Sequence, residues 1–328
     1  YKRQAFHLAV RDLMAGASDV ALAIGVEKIV ATDKVRLAAS FEAGLDVMHR
    51  DEAVERVMQL SSGYVHPDMD DGTVPRSIFM DLYASWARAH MRDFGTTQRH
   101  LAAVSSKNHG HSVHNPLAQF RKAFSIDEVL AARTICWPLT LPMCAPSSEG
   151  AAAVLLCNGD ALDRFDRDRS VAIRASALGS GSDRDPSDHE QHATRRIASV
   201  AYEAAGIGPD EVSVAEVHDA TAFGEIQQLE NLGFCGTGDG GVFSESGATT
   251  IGGSIPVNTS GGLESKGHPL AATGLGQIHE LVTQLRGEAG ARQVEAARWA
   301  IAENGGGLYG IEEAAACVSI FHRDAPAG

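Results

Sequence analysis

The sequence of 328 residues has no apolar run of about 18 residues, the length that a membrane-spanning helix needs. It also lacks the apolar opening segment of a secretory signal peptide. Basic side chains are few: 28 Lys and Arg stand against 42 Asp and Glu, giving a formal net charge of -14. Since binding to a phosphate backbone needs clustered cations, this balance argues against a nucleic-acid partner. The sequence predicts neither a membrane span nor nucleic-acid binding.

Cysteine is also scarce, and its spacing excludes two functions. No two cysteines form a C-x-x-C pair, so the sequence predicts no zinc site and no dithiol redox centre. An odd number of cysteines in a long chain indicates free thiols in a reducing compartment, and we expect a cytoplasmic protein. None lies beside a histidine in a recognisable nucleophile arrangement, and we interpret all five as structural: Cys136, Cys144, Cys157, Cys235 and Cys317.

Short apolar runs alternate with segments of helical periodicity along most of the chain. This pattern is typical of an α/β sheet with helices on its faces. The predicted helices cover 3–16, 77–95, 193–205, 223–232 and 273–285, and the predicted strands cover 19–25, 150–158, 171–173, 212–218, 298–303 and 314–321. The order of these elements suggests two similar halves.

Residues 33–148 interrupt the alternation and indicate an inserted, loop-rich lobe. The stretch 105–120 is polar and rich in histidine. Its spacing of His109, His111 and His114 is compatible with a metal on a loop, but a metal site is the disfavoured interpretation.

A glycine-rich string at 258–269 is the most specific signal in the chain. Gly261, Gly262 and Gly267 let the backbone adopt conformations that other residues resist. His268 then precedes a helix predicted to begin near residue 271, where a helix N-terminus favours negative charge. His268 is therefore a candidate for holding a thiolate or an enolate oxygen. The alternative is a glycine-rich turn with a surface histidine.

Two further motifs follow predicted strands. His218-Asp219 ends an apolar strand, and ligands of open α/β sheets bind at strand carboxyl ends. His218 is a candidate donor to a thioester oxygen, the alternative being a histidine buried for packing. Asn304-Gly305-Gly306-Gly307 also follows a strand, and its exposed N–H groups suit an oxyanion hole, unless it is a plain turn. Tyr309 beyond it either donates a proton or, as we favour, packs.

These three motifs, in this order, resemble the active-site loops of thiolases, closest to the bacterial branch related to sterol-carrier-protein thiolases. The resemblance covers nearly the whole chain. It implies an α/β thiolase fold, with two similar halves in an αβαβα five-layer core and an inserted loop domain. Residues 1–32 and 149–168 would be the remainder of the N-terminal half, 33–148 the loop domain and 169–328 the C-terminal half.

The same resemblance implies a site and its partners. It gives catalytic roles to His218, His268 and Gly306, and substrate contacts to Asp219, Ser260, Gly261, Gly307 and Tyr309. It implies an acyl-CoA substrate, coenzyme A as a substrate rather than a bound cofactor, no metal, and a homodimer. Some members of this branch work with a small OB-fold and zinc-ribbon partner protein, which is a further expectation.

The sequence departs from the thiolase pattern at both catalytic thiols. If Ala5 matches the last alanine of the family's Cys-x-Ser-Gly-x-x-Ala motif, the nucleophilic cysteine falls upstream of Tyr1, and we expect a longer protein that contains it. The second, acid/base cysteine is also missing. Ala220 stands where relatives carry it after His-Asp, and Glu303 and Asn304 stand where others carry it. Glu303, Tyr309 and His218 are possible substitutes, and the sequence does not select among them.

Three functions follow as hypotheses. The first is a thiolase-type acyltransferase that cleaves or forms a carbon–carbon bond in a 3-ketoacyl-CoA, in degradation of a bulky, branched or ring-bearing acid. The second is a cysteine-independent retro-aldol lyase on a 3-hydroxyacyl-CoA, motivated by Ala220. The third is a non-catalytic acyl-CoA-binding subunit, which has little need of both histidine loops.

Overall fold

The computed structural model describes residues 3–29, 39–69 and 76–324. The α-helices that lie wholly within these ranges are α1 (Gln4–Met14), α2 (Arg50–Leu60), α3 (Ile78–Phe94), α4 (Gln98–Ser112), α5 (Ile126–Leu130), α6 (Ala193–Ala205), α7 (Ala222–Asn231), α8 (Gly240–Glu245) and α9 (Thr273–Leu285). The strands are β1 (Val20–Glu27), β2 (Thr134–Cys136), β3 (Leu139–Thr140), β4 (Gly150–Cys157), β5 (Ala172–Ser180), β6 (Val214–Glu216), β7 (Trp299–Gly306) and β8 (Ala315–His322).

The described residues form three sheets, of which a short one pairs β2 with β3, and the other two alternate with two helix layers. One sheet has the order β5-β8-β7-β6, with β6 parallel to β7 and the other pairs antiparallel. The second sheet pairs β1 with β4 antiparallel, from Val20 opposite Cys157 to Glu27 opposite Gly150. Helices α1 and α9 lie between the two sheets, and α6 covers the other face of the larger sheet. The observed order is therefore sheet, helices, sheet, helices, as an α/β fold requires.

The middle helix layer is held by an apolar core and one buried cation. Phe6 of α1 and Ile278 of α9 pack with Phe321 of β8. Arg3, just before α1, donates to the carbonyl oxygens of Ala302 (2.6 Å) and Cys317 (3.3 Å). Because a buried guanidinium needs such acceptors, Arg3 ties α1 to the strands that carry the glycine motif.

One close approach fixes the smaller sheet against the loop before α9. A Cβ added to Gly25 of β1 would lie 2.3 Å from the carbonyl oxygen of Ala271. No side chain fits at that distance, so only glycine allows β1 to pack there.

Several predicted elements are confirmed. Helix α6 spans 193–205 as predicted, and Gly206 ends it in the left-handed conformation, with φ of 73°. Helix α9 also has its predicted bounds. Strand β6 is shorter than predicted, at three residues, so His218 lies beyond its end. The longer β7 includes Gly305 and Gly306, which the sequence placed in a turn.

The interpretation of 33–148 as loop-rich does not hold for 98–112, which is helical. Helix α4 runs to Ser112, and the Thr97 hydroxyl begins it by accepting the backbone N–H of His100. The buried face of α4 is mainly Ala, Ser, Asn and His, so it lacks the apolar stripe by which helices are recognised. His109 and His111 lie on this buried face and bond to the carbonyl oxygens of Pro142 and Asn258.

Candidate functional site

The parallel pairing of β6 with β7 brings two of the predicted motifs to one edge of the sheet. Glu216 lies opposite Ala302, so the chain leaves β6 beside the end of β7. His218 follows β6, and Gly306 ends β7. The Glu303 side chain joins the two segments by accepting the backbone N–H of His218 at 2.9 Å. The observed geometry agrees with the general placement of ligands at strand carboxyl ends.

The glycine-rich string reaches the same edge by running beside β6. Asn258 donates its backbone N–H to the carbonyl oxygen of Ala215 (2.9 Å). The chain then turns through Gly261 and Gly262, both at positive φ, and makes a single π-helical turn over Gly262–Lys266. Gly267, with φ of 110°, ends that turn. The resulting loop delivers His268 to the site, as its glycine content predicted.

His218 and His268 face each other. Their ring centroids are 5.2 Å apart, at an interplanar angle of 72°. Both side chains are buried, and both residues line one cavity. The sequence predicted both as site residues, and the structure brings them together.

Hydrogen bonds indicate the tautomer of His268. The Thr273 hydroxyl donates its proton to the carbonyl oxygen of Pro269 (2.9 Å) and lies 2.7 Å from His268 Nδ1. Since that hydroxyl proton is already used, Nδ1 is the protonated nitrogen and donates to Thr273. The Ser148 hydroxyl accepts the backbone N–H of His268 at 2.9 Å. His268 Nε2 therefore carries the lone pair, on a residue whose Nδ1 and backbone N–H are both hydrogen-bonded.

Asp219 does not line the cavity; it holds the two loops together. Its carboxylate accepts the backbone N–H of Leu263 (2.8 Å) and the side-chain N–H of Asn108 (3.1 Å). Burial raises the pKa of Asp219, neighbouring Glu225 raises it further, and the bond from Leu263 opposes the rise. Glu225 in turn forms a buried ion pair with Lys107. This network fixes the position of His218 relative to the glycine loop.

The cavity has a volume of about 910 Å³. Its lining combines His218, His268, Gly306 of β7 and the following Gly307 with aromatic side chains, three cations (Arg76, Arg121, Lys122) and three carboxyl groups (Glu27, Glu264, Glu313). The lining also includes Ala220, Tyr83, Trp86, Phe79, Phe120, Phe124 and Cys144. A largely apolar cavity with a few convergent polar groups is the common form of a small-molecule site.

Besides Asp219, three more predicted substrate contacts lie outside the lining of this cavity. The Ser260 hydroxyl donates to Glu216 at 2.7 Å, deep in the core. Gly261 packs against Ser112, whose Cβ would be 2.4 Å from an added Cβ. Tyr309 is half exposed, and its backbone pairs with Glu312. The structure assigns these residues to loop packing and the surface. Gly306 and Gly307, by contrast, line the cavity.

Cys144 is the cysteine that lines the cavity within the described residues. Burial raises the pKa of its thiol well above the usual range. A thiol that resists ionisation is a poor nucleophile, so Cys144 packs rather than reacts. The structural interpretation of this cysteine remains in place.

Two residues of the site were not predicted from the sequence. The Tyr83 hydroxyl of α3 lies 3.5 Å from His218 Nδ1 in a buried contact across 135 residues. Glu264, inside the glycine string, is 1% exposed and lines the cavity. Tyr83 gave no local signal. Glu264 did have a local signal, since a carboxyl between an apolar residue and a histidine loop is unusual, but His268 was the stronger signal in the same string.

A pH effect on stability follows from His111, which is held neutral. Its Nδ1 donates to the Asn258 carbonyl oxygen (3.1 Å), and its Nε2 accepts the N–H of Ile251 (3.2 Å). Burial lowers its pKa from 6.5 to about 3. Between pH 6.5 and about 3, the unfolded chain binds a proton at His111 and the folded chain does not. His111 therefore stabilises the fold fully above pH 6.5, and this stabilisation is lost as the pH falls.

We expect His111→Gln to remove a pH slope of up to about 1.4 kcal/mol per pH unit between pH 6 and 4. Urea unfolding at several pH values gives the free energy of unfolding of wild type and of the variant. In the difference between the two, the opposite contributions of the buried carboxyls cancel. His279→Gln, at an exposed position of α9, is the control. Parallel stability curves for wild type and His111→Gln would contradict this prediction.

The chain matches known proteins in sequence and in fold. The family model "Thiolase C-terminal domain-like" matches residues 177–322. Acetyl-CoA acetyltransferase of Methanothermobacter thermautotrophicus is 43% identical over 75% of this chain and 63% of that protein. Benzoylsuccinyl-CoA thiolase subunit BbsB of Thauera aromatica is 32% identical over 89% of this chain and 70% of that protein.

The fold is shared with a solved "Ltp2-ChsH2(DUF35) aldolase", at a TM-score of 0.75 and 20% identity over 100% of this chain and 78% of that chain. The chain spans only part of the length of longer relatives. It spans 52% of the sterol carrier protein 2 of Oryctolagus cuniculus, at 36% identity over 89% of its own length. Within the described residues, no helix has the length and apolar character to cross a membrane. The chain belongs to the thiolase superfamily, in the branch of the sterol-carrier-protein-2 thiolases and acetyl-CoA acetyltransferases.

Proposed function

We propose that this protein is an acyltransferase that cleaves the carbon–carbon bond between C2 and C3 of a 3-ketoacyl-CoA, in the degradative direction. The observation that carries the proposal is the pair of facing imidazoles, 5.2 Å apart, beside Gly306 and Gly307 in one cavity. Cleavage of this bond needs a base for a thiol and donors for thioester oxygens. The two histidines and the glycine N–H groups have those properties.

The roles follow from the hydrogen bonds. His268, with Nδ1 donating to Thr273, offers Nε2 as a base toward the thiol that attacks C3. In this scheme the nucleophile is a cysteine thiolate outside the printed sequence. His218 donates to the thioester oxygen, where charge develops when the bond breaks. Gly306 and Gly307 supply backbone N–H groups for the oxyanion at C3.

The lining of the cavity suits a bulky acyl-CoA. Arg121 and Lys122 are two adjacent cations of the lining, and they suit the phosphates of coenzyme A in a chain of net charge -14. Phe79, Phe120 and Trp86 present aromatic rings to the same space. A ring-bearing or branched acid would use this apolar area better than an acetyl group does. The relative named benzoylsuccinyl-CoA thiolase is consistent with such a substrate.

A retro-aldol lyase on a 3-hydroxyacyl-CoA is the second candidate. Ala220 lines the cavity without a thiol, and the thiol of Cys144 resists ionisation. A retro-aldol cleavage needs no thiolate, since the 3-hydroxyl group loses a proton when the bond breaks. The fold is shared with the Ltp2-ChsH2(DUF35) aldolase, which is named as an assembly with a DUF35 component. For this candidate we propose a small partner protein as well.

We also propose the full thiolase architecture, with two similar halves in five layers, and a homodimer. The face of β1 and β4 that points away from α1 and α9 exposes Leu22, Ile24, Val26 and Leu155 by more than half. Apolar strand faces are normally covered, so a further helix layer would lie on this face. A second copy that pairs through the same half is the proposed dimer partner.

The experiment that tests the function uses the full-length protein and two substrates. A 3-ketoacyl-CoA with added CoA should give two acyl-CoA products, and acetyl-CoA should leave a mass increase of one acetyl group on the protein. Cleavage of a 3-hydroxyacyl-CoA without added CoA, and with no adduct, would instead establish the lyase. If neither substrate is cleaved while acyl-CoA still binds, the protein is a binding subunit and both proposals fail.

A further inference from the structure

Glu264 occupies an unusual position in the cavity. It is 1% exposed, lines the same space as His218 and His268, and precedes His268 by four residues. Neither carboxyl oxygen has a hydrogen-bond partner among the residues that the structure describes. The neighbouring Ser105 hydroxyl donates instead to the carbonyl oxygen of Pro142 (2.9 Å). Buried polar groups are nearly always satisfied, so an unsatisfied carboxyl in a ligand cavity indicates a role that involves the ligand.

The location of Glu264 also matches the missing acid/base. The Asp219 carboxylate, next to Ala220 in the chain, accepts the backbone N–H of Glu264 at 3.4 Å. Ala220 and Glu264 both line the cavity. Of the earlier candidates, Tyr309 is half exposed and the Glu303 side chain binds the backbone of His218. Glu264 is therefore a cavity carboxyl whose backbone is bound by the residue next to Ala220.

We propose that Glu264 is a catalytic residue of this site and donates the proton that C2 of the departing acyl-CoA receives. The inference rests on the proposed carbon–carbon cleavage. When the C2–C3 bond breaks, its electron pair goes to C2 and forms the enolate of the departing thioester. The O–H bond of Glu264 then breaks, its proton joins C2, and the negative charge remains on the Glu264 carboxylate. The carboxylate regains a proton from the CoA thiol in thiolysis, or from the 3-hydroxyl group of the substrate in the lyase.

The electrostatics give Glu264 the protonation state that this role needs. Burial raises the pKa of the Glu264 carboxyl well above its usual range, and the neighbouring Asp219 and Glu225 raise it further. A carboxylic acid that stays protonated near neutral pH can donate. After donation, the buried carboxylate is destabilised and takes up a proton again. Glu264 can thus donate a proton and take one up again, which is the role of the missing acid/base thiol.

The test compares wild type, Glu264→Gln and Glu264→Asp in the full-length protein. The readout is deuterium entry at C2 of acetyl-CoA or propionyl-CoA in D₂O, followed by mass spectrometry. Glutamine has nearly the same shape and no acidic proton. We expect Glu264→Gln to lower the exchange rate and kcat by about 10²–10⁴-fold, with KM changed only a few-fold. Glu264→Asp should recover part of the exchange, and Glu264→Gln should lose the decline in exchange at high pH.

A structural role would give a different result. Burial favours the neutral form of the Glu264 carboxyl, and glutamine is neutral too, so the thermal midpoint of Glu264→Gln should be no lower than that of wild type. Exchange that persists in Glu264→Gln would overturn the assignment. Loss of exchange in Glu313→Gln alone would overturn it too, in favour of the Glu313 carboxyl, which lines the same cavity. If wild type neither exchanges C2 protons nor cleaves either substrate, the proposed function itself fails, which is distinguishable from both results.

Discussion

Replacing His268 by asparagine is expected to lower kcat/KM for carbon–carbon cleavage by about 10²–10⁴-fold, the usual contribution of a positioned general base. Asparagine keeps a polar group near Thr273 Oγ1, which is 2.7 Å from His268 Nδ1. It cannot provide the basic nitrogen Nε2. Steady-state cleavage of the 3-ketoacyl-CoA with CoA measures the effect. In the acyltransferase scheme, the acetyl adduct seen by intact mass should also form more slowly, since the thiol is no longer deprotonated.

His279→Asn is the matched control for this substitution. His279 lies on the exposed side of α9, in the helix that begins just after the His268 loop. The same chemical change there should leave kcat/KM within about twofold, because surface substitutions rarely perturb a site. If His268→Asn retained wild-type turnover while acyl-CoA cleavage itself was established, His268 would be a packing residue and the base would have to be sought elsewhere in the cavity.

Helix α6 and the two site histidines could be predicted from the sequence because a local signal is sufficient for each. Helix α6 has an apolar stripe and ends at Gly206, so both its periodicity and its C-cap are visible in the sequence. His218 and His268 follow strand and glycine patterns that fix their loops. Their meeting at 5.2 Å follows from the parallel pairing of β6 and β7 and from the adjacent run of the glycine string. Parallel strands with aligned carboxyl ends are a property of the fold class, which the alternation of elements predicts.

Contacts between distant segments could not be predicted in the same way. Arg3 binds the carbonyl oxygen of Ala302, 299 residues away, and Tyr83 meets His218 across 135 residues. Neither residue has a sequence context that marks it. Helix α4 was missed because its partners are polar groups of the core, such as the Glu225 carboxylate that pairs with Lys107. Many of its buried side chains are hydrogen-bonding groups, and a pattern of hydrophobic residues does not detect them.

Glu264 shows the limit for catalytic residues. A histidine in a glycine-rich loop has few structural explanations, whereas most glutamates are solvated surface residues. What distinguishes Glu264 is its burial near Asp219 and Glu225. Within the described residues, no donor meets its carboxyl oxygens in good hydrogen-bond geometry, since the nearby Ser105 hydroxyl donates to Pro142. Both are properties of the folded surroundings. The sequence predicted that a substitute for the missing thiol is needed, and the structure was required to find a candidate.

Gly262→Ala is expected to destabilise the fold by about 2–5 kcal/mol and to reduce turnover by more than tenfold. Gly262 has φ of 61°, and an added Cβ would lie 2.1 Å from Asp219 Oδ2. The left-handed backbone accounts for about 1–2 kcal/mol, and the forced movement of Asp219 for the rest. Because Asp219 joins the glycine loop to the segment that carries His218, this movement separates the two histidines, and displacements of about 1 Å at a site can cost 10²-fold in rate.

Gly287→Ala separates the cost of the left-handed backbone from the cost of displacing Asp219. Gly287 has φ of 72°, and an added Cβ would meet nothing within 4 Å. It should therefore show the backbone cost alone, about 1–2 kcal/mol, with turnover near that of wild type. Urea unfolding and steady-state kinetics of both variants measure the difference. Equal destabilisation of the two proteins, with activity retained in Gly262→Ala, would show that Asp219 tolerates displacement and that the distance between the histidines is set by other contacts, such as the bond from the backbone N–H of His218 to Glu303.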